Sequence, residues 1–192
     1  MAVAARCFVA VLPPPPLVEA VTVIDRPARP GLRWTPAEQW HVTLRFLAAV
    51  DPDGLAAALS AGPEGELPGG QPVRARWGPR PGALGGGAWV LPVRGLDDLA
   101  ATVARATAQL GVPPERRAFR GHLTLARARR PEALEGLARP ELTGDWLVEE
   151  VVAYRSELDA AGARHHLLGR WPLRPRRPLR PQDSPGEVGF GP

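Results

Sequence analysis

The sequence predicts an α+β fold whose strands pair antiparallel. Three observations predict this class: a length of 192 residues, the order of the strand and helix signals, and the lack of a glycine loop that could cradle phosphates. A chain of this length makes one domain and buries about 70% of its unfolded surface. Strand signals that follow one another without an intervening helix favour antiparallel pairing over a doubly wound parallel sheet.

Four strands and two helices are predicted in the first half of the chain. The strand signals are short apolar or alternating runs, at residues 6–12, 40–47, 73–77 and 88–93. The first helix, residues 17–24, follows four prolines, which are tolerated in a first helical turn. The second helix, residues 53–60, has Asp51 as its predicted N-cap and Pro52 at its first position. The segment 62–70 is rich in glycine and proline and is predicted to be a loop.

The second half of the chain contains the strongest helix signal. Residues 96–110 have apolar side chains at helical spacing and precede Gly111, which predicts a helix and its C-terminal end. The remaining predictions are a strand at 121–128, a short helix at 131–137, and two long strands at 146–158 and 164–171. Three glycines at 85–87 lack the spacing of a dinucleotide-binding motif, and no lysine completes a P-loop. These glycines therefore predict a hairpin turn.

The charge of the chain gives weak support for broad binding to nucleic-acid backbones. The formal net charge is +4, and all 24 basic residues are arginines. Guanidinium pKa values above about 12 raise the isoelectric point without adding net charge. Four arginines lie in residues 174–192 beside only Asp183 and Glu187, so residues 1–173 are nearly balanced. We expect residues 1–173 to form the domain and residues 174–192 to form a disordered Arg/Pro-rich tail.

The cysteine content and the hydropathy exclude several classes of protein. Cys7 is the only cysteine, so a disulfide framework and a Cys-rich metal knuckle are excluded. The apolar run 7–12 has six residues and ends at four prolines, which is too short for a signal peptide or a membrane span. We therefore expect a soluble, cytoplasmic protein with no membrane partner.

One four-residue pattern occurs twice, each time in a predicted strand. Residues 41–44 are His-Val-Thr-Leu and residues 122–125 are His-Leu-Thr-Leu. Because side chains alternate along a strand, the His and the Thr of each string share one face, and the apolar residues point to the other. An ordinary strand histidine explains either string alone. The repeat at two of the four histidines instead indicates two halves of one site.

Two imidazoles and two hydroxyls fit the chemistry of a phosphodiester. One neutral imidazole can take a proton from water while a charged one gives a proton to the leaving oxygen. Threonine hydroxyls can donate to the non-bridging phosphoryl oxygens. The candidate catalytic residues are His41 and His122, and the candidate phosphate-binding residues are Thr43 and Thr124. A zinc site would need three or four converging ligands, and no string has that spacing, so no metal or cofactor is predicted.

At these residues the sequence resembles the 2H phosphoesterase superfamily, and within it the RNA 2',3'-cyclic phosphodiesterases, also called 2'-5' RNA ligase-like proteins. The likeness covers residues 6–11, 32–47, 119–127 and 156–173. It implies a two-lobed, pseudo-twofold fold with antiparallel sheets around a central cleft and helices outside. It also implies hydrolysis of a 2',3'-cyclic phosphate to a 2'-phosphomonoester, with His41 as the acid and His122 as the base. Either histidine could take either role.

Four further residues are candidates for binding substrate. Arg127 matches a phosphate-contacting position of the family, although a flat strand would put it on the face opposite His122 unless the strand bulges or ends. Arg45 has the parity of His41, which favours a place in the cleft over a solvated strand end. Phe8 and Phe46 could stack on a base or belong to the core.

The resemblance leaves the substrate and the activity open. The expected partners are RNA ends or small cyclic nucleotides, and we expect a monomer. Ligation of 2'-5' linked RNA, another 2H cyclic phosphodiesterase activity and an RNA-end binding module without turnover are the alternatives. His165 stands where the family often has tyrosine, and Gly121 where proline is frequent. We interpret His165 and His166 as ordinary strand residues.

Overall fold

The computed structural model describes residues 4–112, 118–159 and 162–175. Within them ten strands and three α-helices alternate irregularly along the chain. The strands are β1 Ala5–Val11, β2 Leu32–Trp34, β3 Val42–Val50, β4 Val73–Trp77, β5 Gly82–Leu84, β6 Ala88–Arg94, β7 His122–Ala128, β8 Gly144–Val148, β9 Glu150–Asp159 and β10 Gly162–Pro172. The helices are α1 Pro15–Thr22, α2 Pro52–Leu59 and α3 Asp97–Ala106. Three 3₁₀ turns lie at Ala37–Gln39, Pro63–Gly65 and Pro131–Leu134.

The strands form one curled antiparallel sheet. Their order is β10-β9-β1-β3-β7-β6-β4-β8, with β2 paired to β7 and β5 paired to β6. Every pairing between them is antiparallel. The first lobe contributes β10, β9, β1 and β3, and the second contributes β7, β6, β4 and β8. The α+β class and the antiparallel arrangement are therefore confirmed.

The two lobes meet where β3 and β7 pair through Val42 and Leu123. These residues occupy the same position in the two His-x-Thr-Leu strings, directly after the histidine. An antiparallel pair that joins equivalent positions relates the two lobes by a local twofold. The twofold places the two motifs at the centre of the sheet.

The helices cover one face of the sheet and leave the other open. Buried side chains of all three helices, among them Leu17, Leu55 and Leu99, join the large apolar cluster that contains Val42 and Leu123. Each fully buried side chain of this size contributes about 1.5–3 kcal/mol to folding. A second, small cluster of Phe8, Ala10 and Val152 lies on the opposite side of the strands. We call this side the open face.

The helix predictions are right in position and differ in length. The carboxylate of Asp51 accepts hydrogen bonds from the backbone N–H of Asp53 and Gly54, so the predicted N-cap of α2 is confirmed. The helix predicted at 96–110 ends at Ala106. The short helix predicted at 131–137 is only the 3₁₀ turn Pro131–Leu134.

Two strands were too short to be predicted, and one predicted strand is two. The hairpin turn at 85–87 is confirmed, because Leu84 pairs with Ala88 across it. The three-residue strands β2 and β5 are too short to show an alternating pattern. The strand predicted at 146–158 divides at Glu149 into β8 and β9, which pair with β4 and β1 at different parts of the sheet.

The structure describes only the first two residues of the predicted tail, Arg174 and Pro175. Arg174, at its start, pairs with Glu66 at 3.3 Å. The rest of the predicted tail, from residue 176, lies outside the described residues. None of the helices in the described part of the chain is both long and apolar enough to cross a membrane.

Candidate active site

The four motif side chains lie together on the open face at the joint between the lobes. His41 directly precedes β3, and His122 is the first residue of β7. Extending the pairing of residues 42 and 123 by one step in each direction places His41 across from Thr124 and Thr43 across from His122. All four side chains are partly buried. The sequence prediction that the two half-sites meet is consistent with this register.

Both catalytic candidates are held in the same tautomer by the backbone. His41 Nδ1 lies 2.7 Å from the carbonyl oxygen of Gln39, and His122 Nδ1 lies 2.7 Å from that of Arg120. A carbonyl only accepts, so Nδ1 carries the hydrogen in both rings. Nε2 is therefore the nitrogen that remains for proton transfer, in both lobes.

Aromatic rings fix the orientation of His41. The Phe8 ring stacks on the imidazole at 4.5 Å between centroids, with 23° between the planes. His165 contacts the same imidazole edge-on at 5.5 Å and 90°. Tyr154 stacks in turn on Phe8, at 5.4 Å between centroids. His41 is thus held by rings from β1 and β10.

The environment of His41 favours its neutral form. Burial lowers the pKa of His41 to about 4, and the positive charges of His165, Arg127 and His122 act in the same direction. The hydrogen bond to the Gln39 carbonyl acts in the opposite direction. His41 is therefore uncharged at neutral pH in the protein alone.

A β-bulge follows the threonine in each motif. On β3, Thr43 pairs with Ala10 and Arg45 with Val9, so Leu44 is an extra residue without its own partner. On β7, Thr124 pairs with Val90 and Ala126 with Trp89, so Leu125 is the extra residue. An extra residue reverses the side-chain alternation beyond it. Position 45 therefore faces the helices, and positions 46 and 127 face outward with the motifs.

Arg127 lies on the open face because of the bulge at Leu125. Its exposed side chain shares the face of His122 and Thr124, and its charge acts on His41. The bulge removes the conflict with parity that a flat strand would create. The guanidinium of Arg127 forms no hydrogen bond or ion pair within the part of the chain that the structure describes.

The prediction that Arg45 lines the cleft is wrong. Its side chain is only 7% exposed and points toward the C-terminal end of α3. The guanidinium donates to the hydroxyl of Thr107 at 2.5 Å and to the backbone carbonyls of Ala104, Leu110 and Val112 at 2.9–3.2 Å. The bulge at Leu44 is the reason, since without it Arg45 would face the cleft.

The two phenylalanines have different roles. Phe8 is only 4% exposed and stacks on His41, so of the two alternatives it packs within the protein and does not stack on a base. Phe46 is 51% exposed on the open face, opposite Phe8 in the β1–β3 pair. The guanidinium of Arg6 lies 5.4 Å from its ring centre. Phe46 is thus available for stacking and remains a candidate.

Comparisons with known proteins agree with this geometry. A family model described as LigT like Phosphoesterase matches residues 11–67. The structure of TT0787 from Thermus thermophilus is 25% identical with a TM-score of 0.72, covering 90% of this chain and all of that one. Escherichia coli LigT complexed with NADP+ is 24% identical with a TM-score of 0.66, covering 88% of this chain and 98% of that one. No curated protein matches the sequence.

These findings are consistent with a 2H phosphoesterase. The family match includes the first motif, and the structural likeness extends over both lobes. Among residues 4–112, 118–159 and 162–175, no three His, Cys, Asp or Glu side chains lie close enough together to hold a metal ion.

His165 is the site residue that the sequence interpretation missed. It pairs with Ser156 on the open face and contacts both His41 and Phe8. Its pKa is lowered by burial, with a smaller effect of His166 in the same direction. His166 points away and pairs with Glu157 at 3.1 Å, as expected for an ordinary strand residue. The contacts of His165 with Phe8 and His41 arise because β10, β9 and β1 lie side by side, and β1 is distant from the other two strands in sequence.

A cavity lies beside His122 in the second lobe. It has a volume of about 310 Å³, and its wall contains His122, Pro92, Phe119 and Arg120. A larger groove of about 820 Å³ begins at Arg94, which lines both spaces. The cavity and the groove therefore lie side by side from His122 across the second lobe.

Proposed function

We propose that the chain hydrolyses 2',3'-cyclic phosphates of RNA ends or nucleotides to 2'-phosphomonoesters. The observation that carries the proposal is the matched pair of imidazoles. His41 and His122 come from equivalent positions of two lobes, share one open face, and both keep Nε2 free. Two half-sites that approach one centre suit an in-line displacement at phosphorus, in which attacking and leaving oxygens lie on opposite sides.

The proposed reaction uses one histidine on each side of the phosphorus. The oxygen of a water molecule bonds to phosphorus while Nε2 of His122 takes its proton. The bond between phosphorus and the 3' oxygen breaks, and Nε2 of His41 gives that oxygen a proton. The product carries a 2'-phosphomonoester and a 3'-hydroxyl. The hydroxyls of Thr43 and Thr124, with Arg127, would stabilise the charge on the non-bridging oxygens.

The acid role of His41 requires that substrate binding charges it. A cyclic phosphate is an anion, and an anion beside the imidazole raises the pKa of His41 from its value in the free protein. Its position among Phe8 and His165 fixes the ring before the substrate arrives. The proton would therefore enter together with the substrate.

Nucleotide recognition is supported by the solved relatives. Crystal structures of Escherichia coli LigT hold NADP+, 3'-AMP or ATP. A binding module without turnover would need cationic and aromatic contacts and no pair of titratable groups with matched tautomers. The two free Nε2 atoms therefore favour catalysis over binding alone.

The proposal is tested with purified protein, a chelator and adenosine 2',3'-cyclic phosphate. We expect a 2'-monophosphate as product, identified by ³¹P NMR. His41→Ala and His122→Ala should each lower kcat by about 10²- to 10⁴-fold while the protein stays folded. His166→Ala, on the other face, is the matched control and should keep the wild-type rate. An intact cyclic nucleotide between pH about 5 and 9 would falsify the proposal.

The division of acid and base is tested with a substrate whose 3' bridging oxygen is replaced by sulfur. A thiolate leaves without a proton, so an acid becomes dispensable. We expect His41→Ala to recover most of the rate on this substrate and His122→Ala to recover none. The reverse pattern would exchange the two roles and keep the reaction.

A further inference from the structure

We propose that the open face of the second lobe holds a binding track for the phosphates upstream of the cyclic phosphate of an RNA end. This inference rests on the proposed function and goes beyond it by assigning a subsite. The track runs from the cavity beside His122 through Arg94 to Arg76 and Arg74.

The cavity beside His122 suits a nucleoside. Its volume of about 310 Å³ is at the lower end of small-ligand sites, which span about 300–1,000 Å³. Its wall combines apolar side chains with polar ones: Leu84, Val90, Pro92, Phe119, Asp97 and Arg120. Apolar walls with a few polar groups are typical of sites that hold a base and fix its orientation. The terminal nucleoside would therefore lie there, next to the reacting phosphate.

The larger groove continues from this cavity and is lined by arginines. Arg94 belongs to the walls of both spaces, so they are adjacent. Arg74 and Arg76 line the groove of about 820 Å³ together with Asp145. The three arginines are exposed and stand on the face opposite the buried Ala75 and Trp77 of β4. They therefore share the open face with the catalytic candidates.

Positive charge predominates along the cavity and the groove, whose walls hold four arginines, Arg74, Arg76, Arg94 and Arg120, and two carboxylates, Asp97 and Asp145. Arg76 and Arg94 are directly opposite each other in the β4–β6 pair. Like charges in this arrangement destabilise a sheet. Asp145 lies opposite Arg76 in the β4–β8 pair, and its carboxylate forms an ion pair with Arg74 at 2.9 Å. The guanidinium groups of Arg76, Arg94 and Arg120 form no hydrogen bond or ion pair with the described residues, so they are available to an anionic ligand.

The register of the strands gives the spacing of the track. His122 pairs with Pro92 on β6, Arg94 lies two residues further along β6, and Arg76 is across from Arg94 on β4. With strands about 4.8 Å apart and about 3.4 Å per residue, Arg94 and Arg76 lie roughly 8 and 12 Å from His122. These distances match the first phosphates upstream of the reacting one.

The chemistry of the substrate selects the occupant. A 2',3'-cyclic phosphate requires a 2'-hydroxyl, so the strand is RNA and not DNA. The cyclic group ends the strand at its 3' end, and the chain continues only through the 5' oxygen of the terminal nucleotide. When the cyclic phosphate lies between the histidines and the terminal base lies in the cavity, the upstream nucleotides lie along the arginine-lined groove.

The test compares kcat/KM for cyclic-ended RNA of one, two, three and six nucleotides. We expect about a tenfold or larger rise from one to three nucleotides and little further gain. The double variant Arg76→Gln, Arg94→Gln should lose most of this gain and reduce the salt dependence on the trinucleotide by about one to two units of slope. The control is Arg170→Gln on β10, which removes an exposed arginine that pairs with Glu150 of β9. This variant should keep the full gain.

Stability separates loss of binding from loss of fold. Arg76 lies between Arg94 on β6 and Asp145 on β8, so the double variant loses one repulsion and one attraction and should melt close to the wild-type temperature. Equal kcat/KM at all lengths in the wild type overturns the inference, and so does a length advantage that persists in the double variant.

A failure of the proposed function has a different signature. If no cyclic-ended substrate is turned over at any length, binding of a fluorescent RNA hexamer with a 3'-phosphate still reports on the track. Tighter binding than a 3'-phosphorylated mononucleotide, weakened in the double variant, supports the track alone. Equal affinity for the hexamer in wild type and double variant overturns it.

Discussion

The two histidines of the site are chemically alike and differently surrounded. Backbone carbonyls at the second residue before each ring fix both Nδ1–H groups, so both present Nε2. Only His41 is packed by the rings of Phe8 and His165. Acid and base roles are separated in active sites by such differences of environment around similar groups. The asymmetry of the two lobes thus gives the repeated motif two different environments, as the proposed division into acid and base requires.

The low pKa of His41 predicts a loss of stability in acid. In the folded protein the pKa is about 4, whereas the unfolded value is 6.5. Between these values the unfolded chain binds a proton that the folded chain does not, so the free energy of unfolding falls as pH falls from 6.5 to about 4. The contribution is at most about 3 kcal/mol. Urea unfolding at several pH values in this window measures it.

The matched variant for this prediction is His41→Gln. It removes the titrating group, so its stability should fall less than that of the wild type over the same window. The burial of His165 lowers the pKa of that ring as well, so some acid sensitivity should remain. Identical pH dependence in wild type and variant would contradict the assignment of the effect to His41.

At the scale of single elements, the two bulges decide which residues reach the cleft. Leu44 and Leu125 are extra residues at the same place in each motif, and each reverses the alternation of its strand. The side chains that the two bulges direct outward differ between the lobes because the residues after each motif differ. The first lobe presents Phe46 outward and directs Arg45 inward, and the second presents Arg127 outward. A symmetric backbone thus produces one aromatic and one cationic flank.

Arg45 is predicted to stabilise the fold and not to act on substrate. It satisfies carbonyls at the end of α3 and the hydroxyl of Thr107 from a buried position. Arg45→Ala leaves the buried Thr107 hydroxyl and the partly buried carbonyls without this donor, which should cost about 2–4 kcal/mol by chemical denaturation. Arg105→Ala, an exposed arginine on the same helix, is the control and should cost well under 1 kcal/mol.

Activity completes this test. At a temperature where Arg45→Ala is folded, its KM for a cyclic nucleotide should equal that of the wild type. An increase in KM without loss of stability would return Arg45 to the cleft.

Sequence patterns predicted the elements better than the pairings between them. Alternation and proline or glycine signals suffice for β4, for α2 with its Asp51 cap, and for the placement of both motifs in strands. The direction of Arg45 depends on a bulge, which changes one residue of register and leaves no mark in the composition. The contact of His165 with His41 requires β10, β9 and β1 to lie side by side, a non-local arrangement that short windows do not contain.

At the scale of the whole molecule, buried side chains and hydrogen bonds anchor the C-terminal end of β10, the edge strand of the first lobe. Trp171 and Leu173 are each 4% exposed. The indole N–H of Trp171 donates to Ser60 Oγ at 2.7 Å, and the backbone N–H of Leu173 donates to the Glu149 carbonyl at 2.7 Å. These contacts tie β10 to the segment after α2 and to the junction of β8 and β9. Leu173 is the last buried residue among those that the structure describes, and the domain boundary predicted at residue 173 stays a prediction.

Truncation tests this boundary. A chain that ends after residue 175 keeps every contact described above, so its melting temperature and its rate on a mononucleotide should match those of the full chain. A chain that ends after residue 170 loses two buried apolar side chains, each worth about 2–5 kcal/mol, and should be largely unfolded. The comparison uses circular dichroism and differential scanning fluorimetry. A marked loss of stability in the longer truncation would mean that residues 176–192 contribute to the fold, because residues 1–175 retain the whole described sheet.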